Sequence, residues 1–477
     1  MYKKNSDKST FGSLIKNIIA YFDGTNIMNL LHFIENLIDK KYILLFCFFL
    51  CVLFQSFTIP PFQSPDEVGH FTKAYSTLHF DAPSSSVSVY KTLADYMNEY
   101  FKFAGNSNHK LTNEIEAKVN HLKWDKGQGK TSVGNPASSY LPLVYIPSAI
   151  GIWIGKVTKC TIHTTYHITR IANMIFSLVI LLYAFYLVSP NLLTLLILFT
   201  PMTLFQYAST SPDCISFSLV VLIFSIVIKI KNSEVLSNLY FWILCLSLCA
   251  LIGHRLNFLP MIFLPTALYL YKHNTRKAFS SIFIVVLPII FWILLCKIYL
   301  GDATQTRSGL PSSEIIHFYI SHPLKIAEVL YKTFTNDFIL RYYRNSLIGN
   351  LGWLDYSISE SVIVTLAILL MVSFMLFIKL RYYSKFDIFV IVLIIMSFFM
   401  IFGALLIQWT SFPNPEYIEG VQGRYFIPII LSMAYLMSDI ERRSRYVRIT
   451  SAIILVSYIS CSNYSMMYAT IHRYLIE

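Results

Sequence analysis

Charged residues are scarce in this sequence: Asp, Glu, Lys and Arg make up 13% of its 477 residues, where soluble domains carry roughly 25%. Apolar and aromatic residues make up 55%, in runs of about twenty, the length that crosses a bilayer as a helix. This composition excludes a soluble enzyme, a disordered chain and a disulfide scaffold. It predicts an all-α polytopic membrane protein, with a cytoplasmic amphipathic segment at 1–41 and one membrane domain at 42–477.

Several signatures of catalysis and metal binding are also missing. The sequence contains no Walker A loop, no GxGxxG after a predicted strand, no HExxH and no GxSxG, so its motifs give no support to nucleotide-driven chemistry. Its eight cysteines have no CxxC spacing, which favours packing rather than a metal or redox site. The predicted spans also lack the ionisable residues that ion-coupled transporters carry near mid-membrane.

Eleven predicted spans account for most of the apolar runs. They lie at 42–59, 170–188, 191–208, 213–229, 236–253, 255–271, 279–299, 360–379, 386–408, 425–439 and 447–468. The segment 140–155 is apolar as well, but it is short and contains two prolines. If this segment crosses the membrane rather than lying in the interface, the orientation of every later loop is reversed.

The excess of basic residues decides the orientation, because short cytoplasmic loops collect Lys and Arg. The net charge of +12 is therefore not a reason to expect nucleic acid as a partner. If 140–155 is an outer interfacial helix, four basic connectors all fall on the cytoplasmic side: 229–231, 272–277, 379–385 and 442–448. We therefore expect a cytoplasmic N-terminus, an extracytoplasmic C-terminus and large extracytoplasmic loops at 60–169 and 300–359.

The first predicted span is followed by Ser64-Pro65-Asp66-Glu67, with His70 one helical turn later. One interpretation is a helix start, in which Ser64 is the N-cap, Pro65 the first helical residue and Glu67 the partner in a capping box. The other is functional, because Asp66 and His70 can share one helix face at the outer membrane boundary. A carboxylate there can remove a proton from an acceptor hydroxyl. The spacing alone leaves both interpretations open.

Other polar residues at the same predicted depth have two interpretations each. Ser211-Pro212-Asp213 repeats the cap pattern at the start of a span, which places Asp213 on the same side as Asp66. Arg255 and Arg424 stand at the outer ends of spans. They are either ordinary interface anchors or guanidinium groups that bind a phosphate bidentately between helices.

Five motifs occur in an order that resembles the DUF2142 family of predicted bacterial membrane proteins, and that family resembles the GT-C superfamily of membrane glycosyltransferases. The motifs are SPDEVGHFTKAY, SSYLPLVYIPSAIG, TPMTLFQYASTSPD, NLGWLD and VQGRYFIP. The resemblance covers roughly residues 42–440, most of the chain. The resemblance implies a GT-C-like fold of about eleven transmembrane helices, with a large first extracytoplasmic loop, in the bacterial plasma (inner) membrane.

The resemblance also assigns roles to individual residues. GT-C enzymes place an acidic residue soon after the first span, which implies that Asp66 is the catalytic base and that Glu67 assists or substitutes for it. Arg424 and Arg255 are implied to bind the donor phosphate, although the family commonly has a Lys-Pro pair where this sequence has His254-Arg255. The residues expected to line the site are His70, Tyr140, Asp213, Trp353, Asp355 and Tyr425.

The implied activity is the transfer of a sugar from a polyprenyl-phosphate donor to a lipid-linked or surface glycan, such as O-antigen or a wall polymer. One base implies direct attack and inversion at the anomeric carbon. Asp66 and Glu67 are too few ligands for a metal site of their own, and a divalent cation, Mg²⁺ or Mn²⁺, would need help from water or substrate phosphate. The alternatives are a glycan or lipid-linked-sugar transporter (flippase) and a non-enzymatic subunit of a polysaccharide assembly system.

Overall fold

A computed structural model of the chain describes residues 37 and 39–475, except for 126, 235, 302–305, 378–382 and 438–444. The predicted amphipathic segment 1–41 therefore lies almost entirely outside the described residues. Over the described part, the chain is 72% helical with nineteen α-helices. This confirms the predicted class, a helical membrane protein.

Within the described residues, the helices follow one another with two short strand pairs between them. In chain order the elements are α1 (Lys41–Thr58), α2 (Glu67–Leu78), β1 (Ser86–Tyr90), α3 (Lys91–Phe101), α4 (Asn113–Val119), β2 (Lys130–Gly134), α5 (Ile146–Val157), α6 (Ile162–Leu187), α7 (Leu192–Leu198), α8 (Pro201–Tyr207), α9 (Asp213–Asn232), α10 (Asn238–His254), α11 (Phe263–Tyr271), α12 (Thr275–Leu300), α13 (Ser312–Ser321), α14 (Pro323–Thr335), α15 (Asp337–Ile348), β3 (Asn350–Leu351), β4 (Tyr356–Ser357), α16 (Glu360–Phe377), α17 (Lys385–Gln408), α18 (Ile427–Met437) and α19 (Arg445–Tyr474). Short 3₁₀ segments precede three of them: Pro142–Tyr145 before α5, Leu256–Ile262 before α11 and Gly423–Phe426 before α18.

Five helices within the described residues are long and apolar enough to cross a membrane: α1, α6, α9, α12 and α17. The other predicted spans correspond to shorter apolar helices, to the pair α7 and α8, or to the long final helix α19. Apolar side chains are exposed along α1, α6, α12 and α17, as expected of helix faces that meet lipid. The number of eleven crossing segments stays a prediction.

The predicted span 191–208 is not one continuous helix. The chain breaks before Pro201, which has no N–H to donate and disfavours a helical conformation at Thr200. Both halves, α7 and α8, are buried inside the bundle. The break in the helical hydrogen bonds leaves the Phe199 carbonyl without a helical partner. The hydroxyl of Ser462 on α19 donates to it instead. An irregular backbone is tolerated at this depth because protein, not lipid, surrounds it.

Helix α9 runs through the middle of the bundle, and nearly all of its side chains are buried. Its first residue, Asp213, and Lys231 near its end are separated by about 27 Å at ~1.5 Å per residue, close to the thickness of the hydrocarbon core. At the Lys231 end, the ammonium group pairs with Asp387 at 2.5 Å, and Lys272 Nζ reaches the Lys231 carbonyl at 3.3 Å. Two of the predicted basic connectors therefore meet at the end opposite Asp213.

The region between α1 and α6 is folded rather than open. Strands β1 and β2 pair antiparallel, with Ser86 opposite Gly134. Helix α3 follows β1 directly and is tied to the start of α6 by the Tyr96 hydroxyl, 2.9 Å from His163 Nδ1. The pairing of segments forty residues apart is a tertiary contact that no local motif in this polar stretch predicts.

The predicted interfacial helix at 140–155 is a 3₁₀ turn followed by α5. It exposes a row of apolar side chains at helical spacing: Leu143, Ile146, Ile150, Trp153 and Val157. Such a row suits a helix lying against lipid. The opposite face packs on α6 through Gly151 and Gly155, where the Thr169 and Thr165 residues of α6 occupy the space that a Cβ would need. The glycines set how closely α5 approaches α6.

We expect Gly151→Ala to lower the free energy of unfolding by about 1–3 kcal/mol, the usual cost of overpacking. A Cβ at this position would lie 2.5 Å from Thr169 Cα, so backbone must move. Gly403→Ala in α17 is the matched control, because a Cβ there meets nothing within 4 Å and a helical glycine gains up to about 1 kcal/mol from alanine. Thermal unfolding in detergent micelles measures both, and equal effects would refute the tight α5–α6 contact.

Candidate functional site

A cavity of about 230 Å³ opens at the end of the bundle where α9 begins. Seven of the predicted site residues line it: Asp66, His70, Tyr140, Asp213, Arg255, Arg424 and Tyr425. They come from five separate parts of the chain, brought together because α2, α9, α10 and α18 begin or end at this depth. Four lining residues were not among the predicted ones: Gly69, Pro136, Ala137 and His254.

Asp66 reaches the cavity through an unusual backbone conformation. Its φ is +61°, in the left-handed region that Asp and Asn tolerate better than most residues. Helix α2 begins one residue later, at Glu67, and Asp66 makes no capping hydrogen bond through its side chain. The helix-start interpretation is thus wrong in detail, because Pro65 is not helical and only the Ser64 N–H to Glu67 Oε2 half of the capping box forms, at 3.1 Å.

Two carboxylates and two guanidinium groups form a chain across the cavity. Arg424 Nη2 lies 2.7 Å from Asp66 Oδ2 and its Nη1 lies 3.8 Å from Asp213 Oδ2. Arg255 Nη2 lies 2.7 Å from Asp213 Oδ1. The four charges cancel. Within this chain only the Asp66 side chain is substantially exposed, at 58%, whereas Arg424 is 3% exposed.

The donor capacity of the two arginines differs. The Nε donor of Arg424 is already occupied, because it donates to Gln422 Oε1 at 2.7 Å. Arg255 Nε is buried and has no hydrogen-bond partner among the described residues. A buried guanidinium N–H without an acceptor is costly. An anionic ligand in the cavity can supply that acceptor.

One wall of the cavity is built from aromatic and imidazole rings. The ring centroids of Tyr140 and His254 are 5.2 Å apart, and those of His70 and His254 are 6.2 Å apart. His70 Nδ1 lies 3.0 Å from the Tyr145 hydroxyl. Burial lowers the pKa of His70 below its ordinary value, and burial raises the pKa of Tyr140 to about 12. This wall is therefore uncharged at neutral pH, which suits a neutral ring more than an anion.

Glu67 is adjacent to Asp66 in sequence but does not line the cavity. It is fully buried, and its carboxylate accepts hydrogen bonds from Tyr166 Oη at 2.5 Å and from the Thr210 N–H at 2.7 Å. Arg170 lies 3.7 Å from the same oxygen and donates to backbone carbonyls at the end of α1. Glu67 therefore joins α2, α6 and the turn before Asp213, and the structure gives it a positioning role.

Trp353 and Asp355 also lie outside the cavity. Trp353 Nε1 donates to the Phe62 carbonyl at 3.0 Å, so its indole supports the segment that leads to Asp66. Asp355 Oδ2 pairs with Arg473 Nη2 on α19 at 2.7 Å. Neither residue lines the cavity. Trp353 contacts the segment before Asp66, and Asp355 contacts α19.

Lys73 is a buried residue near the site that was not among the predicted ones. Its ammonium group donates to the Ser138 carbonyl at 2.9 Å and lies 4.9 Å from the centre of the Trp292 ring. Burial lowers its pKa to about 8. Lys73 is three residues after His70 and seven after Asp66, so the helical spacing of α2 was the available signal. Its contact holds the segment that carries Pro136 and Tyr140.

The carboxylates of the cavity do not form a metal site. No group of three or more His, Cys, Asp or Glu side chains suited to a metal ion occurs in the described part of the chain. Asp66 and Asp213, the acidic residues of the cavity, are each paired with a guanidinium group. A resident divalent cation would have to displace those pairs, so the residues as arranged do not fit one.

The model of a family described as "Predicted membrane protein (DUF2142)" matches residues 48–433. No curated protein and no solved structure matches the chain. Because the match covers most of the chain, this protein belongs to the DUF2142 family, and every cavity residue from Asp66 to Tyr425 lies within the matched part.

Proposed function

We propose that this DUF2142 protein is an integral-membrane glycosyltransferase of the GT-C type. It transfers one sugar from a polyprenyl phosphate to an extracytoplasmic glycan of the cell envelope, such as O-antigen or a wall polymer. The observation that most supports this is an exposed carboxylate, Asp66, in a cavity that also holds two buried arginines at the end of apolar helices. A lipid-linked donor reaches such a position without leaving the bilayer.

The proposed reaction uses Asp66 as the base. As the acceptor hydroxyl oxygen attacks the anomeric carbon, its proton passes to Asp66, and the bond from that carbon to the phosphate oxygen breaks. The electron pair leaves with polyprenyl phosphate, whose charge Arg424 and Arg255 stabilise. One direct displacement inverts the anomeric configuration. Asp66 then releases the proton to water. The uncharged wall of Tyr140 and His254 is placed to contact the sugar ring.

In the structure Arg424 is bound to the base itself, at 2.7 Å. A donor phosphate that takes over Arg424 would release the Asp66 carboxylate toward the acceptor. Arg255 Nε, which has no acceptor among the described residues, offers the phosphate a first contact. The donor phosphate thus replaces Asp66 as the partner of Arg424. The guanidinium group is already in the cavity and does not have to enter it from solvent.

The proposed topology follows from the two ends of α9. The Lys231 end, where basic connectors meet, faces the cytoplasm, and the cavity faces outward. We place about eleven spans in the bacterial inner membrane, with the N-terminus inside and the C-terminus outside. Helix α5 lies in the outer interface and covers the cavity side of the bundle with its apolar row against lipid.

Deletion of the gene is expected to remove one hexose per repeat from a surface glycan. Mass analysis of the envelope glycans with and without the gene measures this loss, and the wild-type gene supplied on a plasmid restores the mass. Purified protein in proteoliposomes should then transfer sugar from undecaprenyl-phosphate hexose to the delipidated glycan from the deletion strain. Unchanged glycan masses in the deletion strain would contradict the proposal.

The proteoliposome assay also separates the two alternatives. A transporter would move the lipid-linked sugar across sealed vesicles without forming a glycosylated product. A non-enzymatic assembly subunit would alter glycan chain length in cells and show neither transfer nor transport in the purified system.

A further inference from the structure

A second concave surface, of about 610 Å³, lies outside the cavity already described. Its walls are the loop at 107–110, strand β4 with the start of α16, and the C-terminal end of α19. We call it the α19 groove and define it by Ser357, Ser359, Tyr464, Tyr468 and His472. Helix α19 lies beyond the residues that match the family.

Three rings form a row along the α19 side of the groove. Tyr464, Tyr468 and His472 are four residues apart, so they share one helix face. The ring centroids of the two tyrosines are 6.3 Å apart, and Tyr468 and His472 are 4.2 Å apart. The tyrosines are 66% and 55% exposed. Large exposed aromatic surfaces in a concave site ordinarily mark a binding surface.

The opposite wall carries serine hydroxyls beside the apolar side chains of Ile358 and Val362. The side chains of Ser107, Ser357 and Ser359 line it, and all three residues are exposed. Hydroxyl groups both donate and accept hydrogen bonds. One wall therefore offers flat ring faces and the other offers hydroxyls, a combination that suits a ligand with both apolar faces and a hydroxylated edge.

Polar contacts made by Arg473 and Lys110 hold the two walls in place. Arg473 Nη2 pairs with Asp355 at 2.7 Å and donates to the Phe103 carbonyl at 2.8 Å. Lys110 Nζ donates to the His472 carbonyl at 2.7 Å. These contacts join α19 to the loop and to the segment leading into β4. The groove is therefore formed before any ligand arrives, which reduces the entropic cost of binding.

We propose that the α19 groove binds an oligosaccharide segment of the acceptor glycan. Pyranose rings have apolar C–H faces that stack on aromatic rings and equatorial hydroxyls that bond to serines. The end of α19 that carries the groove also contacts the segment before Asp66, because the buried Tyr474 hydroxyl donates to Gln63 Oε1 at 3.5 Å. Naming the oligosaccharide as acceptor rests on the proposed sugar transfer, whereas its binding does not.

Tyrosines near a membrane boundary also pack against lipid headgroups, and the serine wall favours a sugar over an acyl chain. The double variant Tyr464→Leu, Tyr468→Leu separates the two roles, because leucine keeps apolar area for lipid but removes the flat ring. The probe is the delipidated surface glycan of the producing cell, titrated calorimetrically into the full-length protein in nanodiscs. We expect the variant to bind at least about tenfold more weakly than wild type.

Two controls accompany the measurement. Tyr446→Leu removes an exposed tyrosine at the other end of α19 and is expected to leave affinity unchanged, while Tyr468→Phe keeps the ring and most of the affinity. Absence of glycan binding by wild type, or equal binding by the double Leu variant, would overturn the groove proposal. Binding that survives in Asp66→Asn without sugar transfer separates the groove from the chemistry, so each proposal can fail alone.

Discussion

Asp66→Asn is expected to lower the rate of sugar transfer roughly 10²- to 10⁴-fold, the usual contribution of a positioned base. The amide has nearly the same shape, and Asn also tolerates the left-handed backbone of residue 66 (φ +61°). It can still accept a hydrogen bond from Arg424, but it cannot take the proton of the acceptor hydroxyl. The loss should therefore appear in the turnover rate of the proteoliposome assay, with little change in protein abundance.

Asp81→Asn is the matched control, because Asp81 is an exposed carboxylate just after α2. Its variant should transfer sugar at the wild-type rate. Persistence of glycan modification in Asp66→Asn, and in the double variant with Glu67→Gln, would show that neither carboxylate is the base. Loss in Glu67→Gln alone, together with a lower unfolding temperature, is what the buried position of Glu67 predicts.

Arg170→Met is expected to lower the free energy of unfolding by about 3–5 kcal/mol, the usual effect of removing one partner of a buried ion pair. The substitution removes the guanidinium that lies 3.7 Å from the buried Glu67 carboxylate. It also removes the donor to the carbonyls of Ser56, Ile59 and Pro60 at the end of α1. Denaturant or thermal unfolding of the purified protein in one detergent measures the difference.

Arg344→Met provides the comparison for a pair of the same chemistry in a different environment. Arg344 and its partner Glu360 are 33% and 53% exposed, and exposed ion pairs contribute roughly 0–1 kcal/mol. The loss in the free energy of unfolding should therefore be several times larger for Arg170→Met than for Arg344→Met. Similar losses would mean that the Glu67–Arg170 pair is solvated and does not hold α1, α2 and α6 together.

The composition predicted the helical membrane class, and positional reasoning placed Asp66, Asp213, Arg255 and Arg424 at one depth. Their pairing could not be predicted, because it depends on the relative rotation of helices that are distant in sequence. The sequence also could not distinguish Asp66 from Glu67. A left-handed residue turns one carboxylate into the cavity while the next points into the protein. The Glu67 carboxylate is held there by Tyr166 and by the Thr210 N–H, which are distant in sequence and cannot be identified from the local motif.

Other differences have equally specific causes. The break before Pro201 was missed because the run 191–208 is predominantly apolar. The Phe199 carbonyl that the break leaves free accepts a hydrogen bond from Ser462, more than 250 residues away. Trp353 and Asp355 were expected at the site because both belong to NLGWLD, one of the five motifs whose order resembles that of the DUF2142 family. Their hydrogen-bond partners, Phe62 and Arg473, hold both side chains outside the cavity lining.

The hydrogen bond from the Thr210 N–H to Glu67 bears on how this family can diverge. Glu67 follows Asp66 directly, and Thr210 comes three residues before Asp213, so this bond fixes the spacing of the two acids through atoms that do not line the cavity. The lining at 136–140 and at His254 can then change by mutation without altering that spacing. On the proposed function, such changes alter which sugar fits and leave Asp66 in place, as long as positions 67, 170 and 210 stay matched.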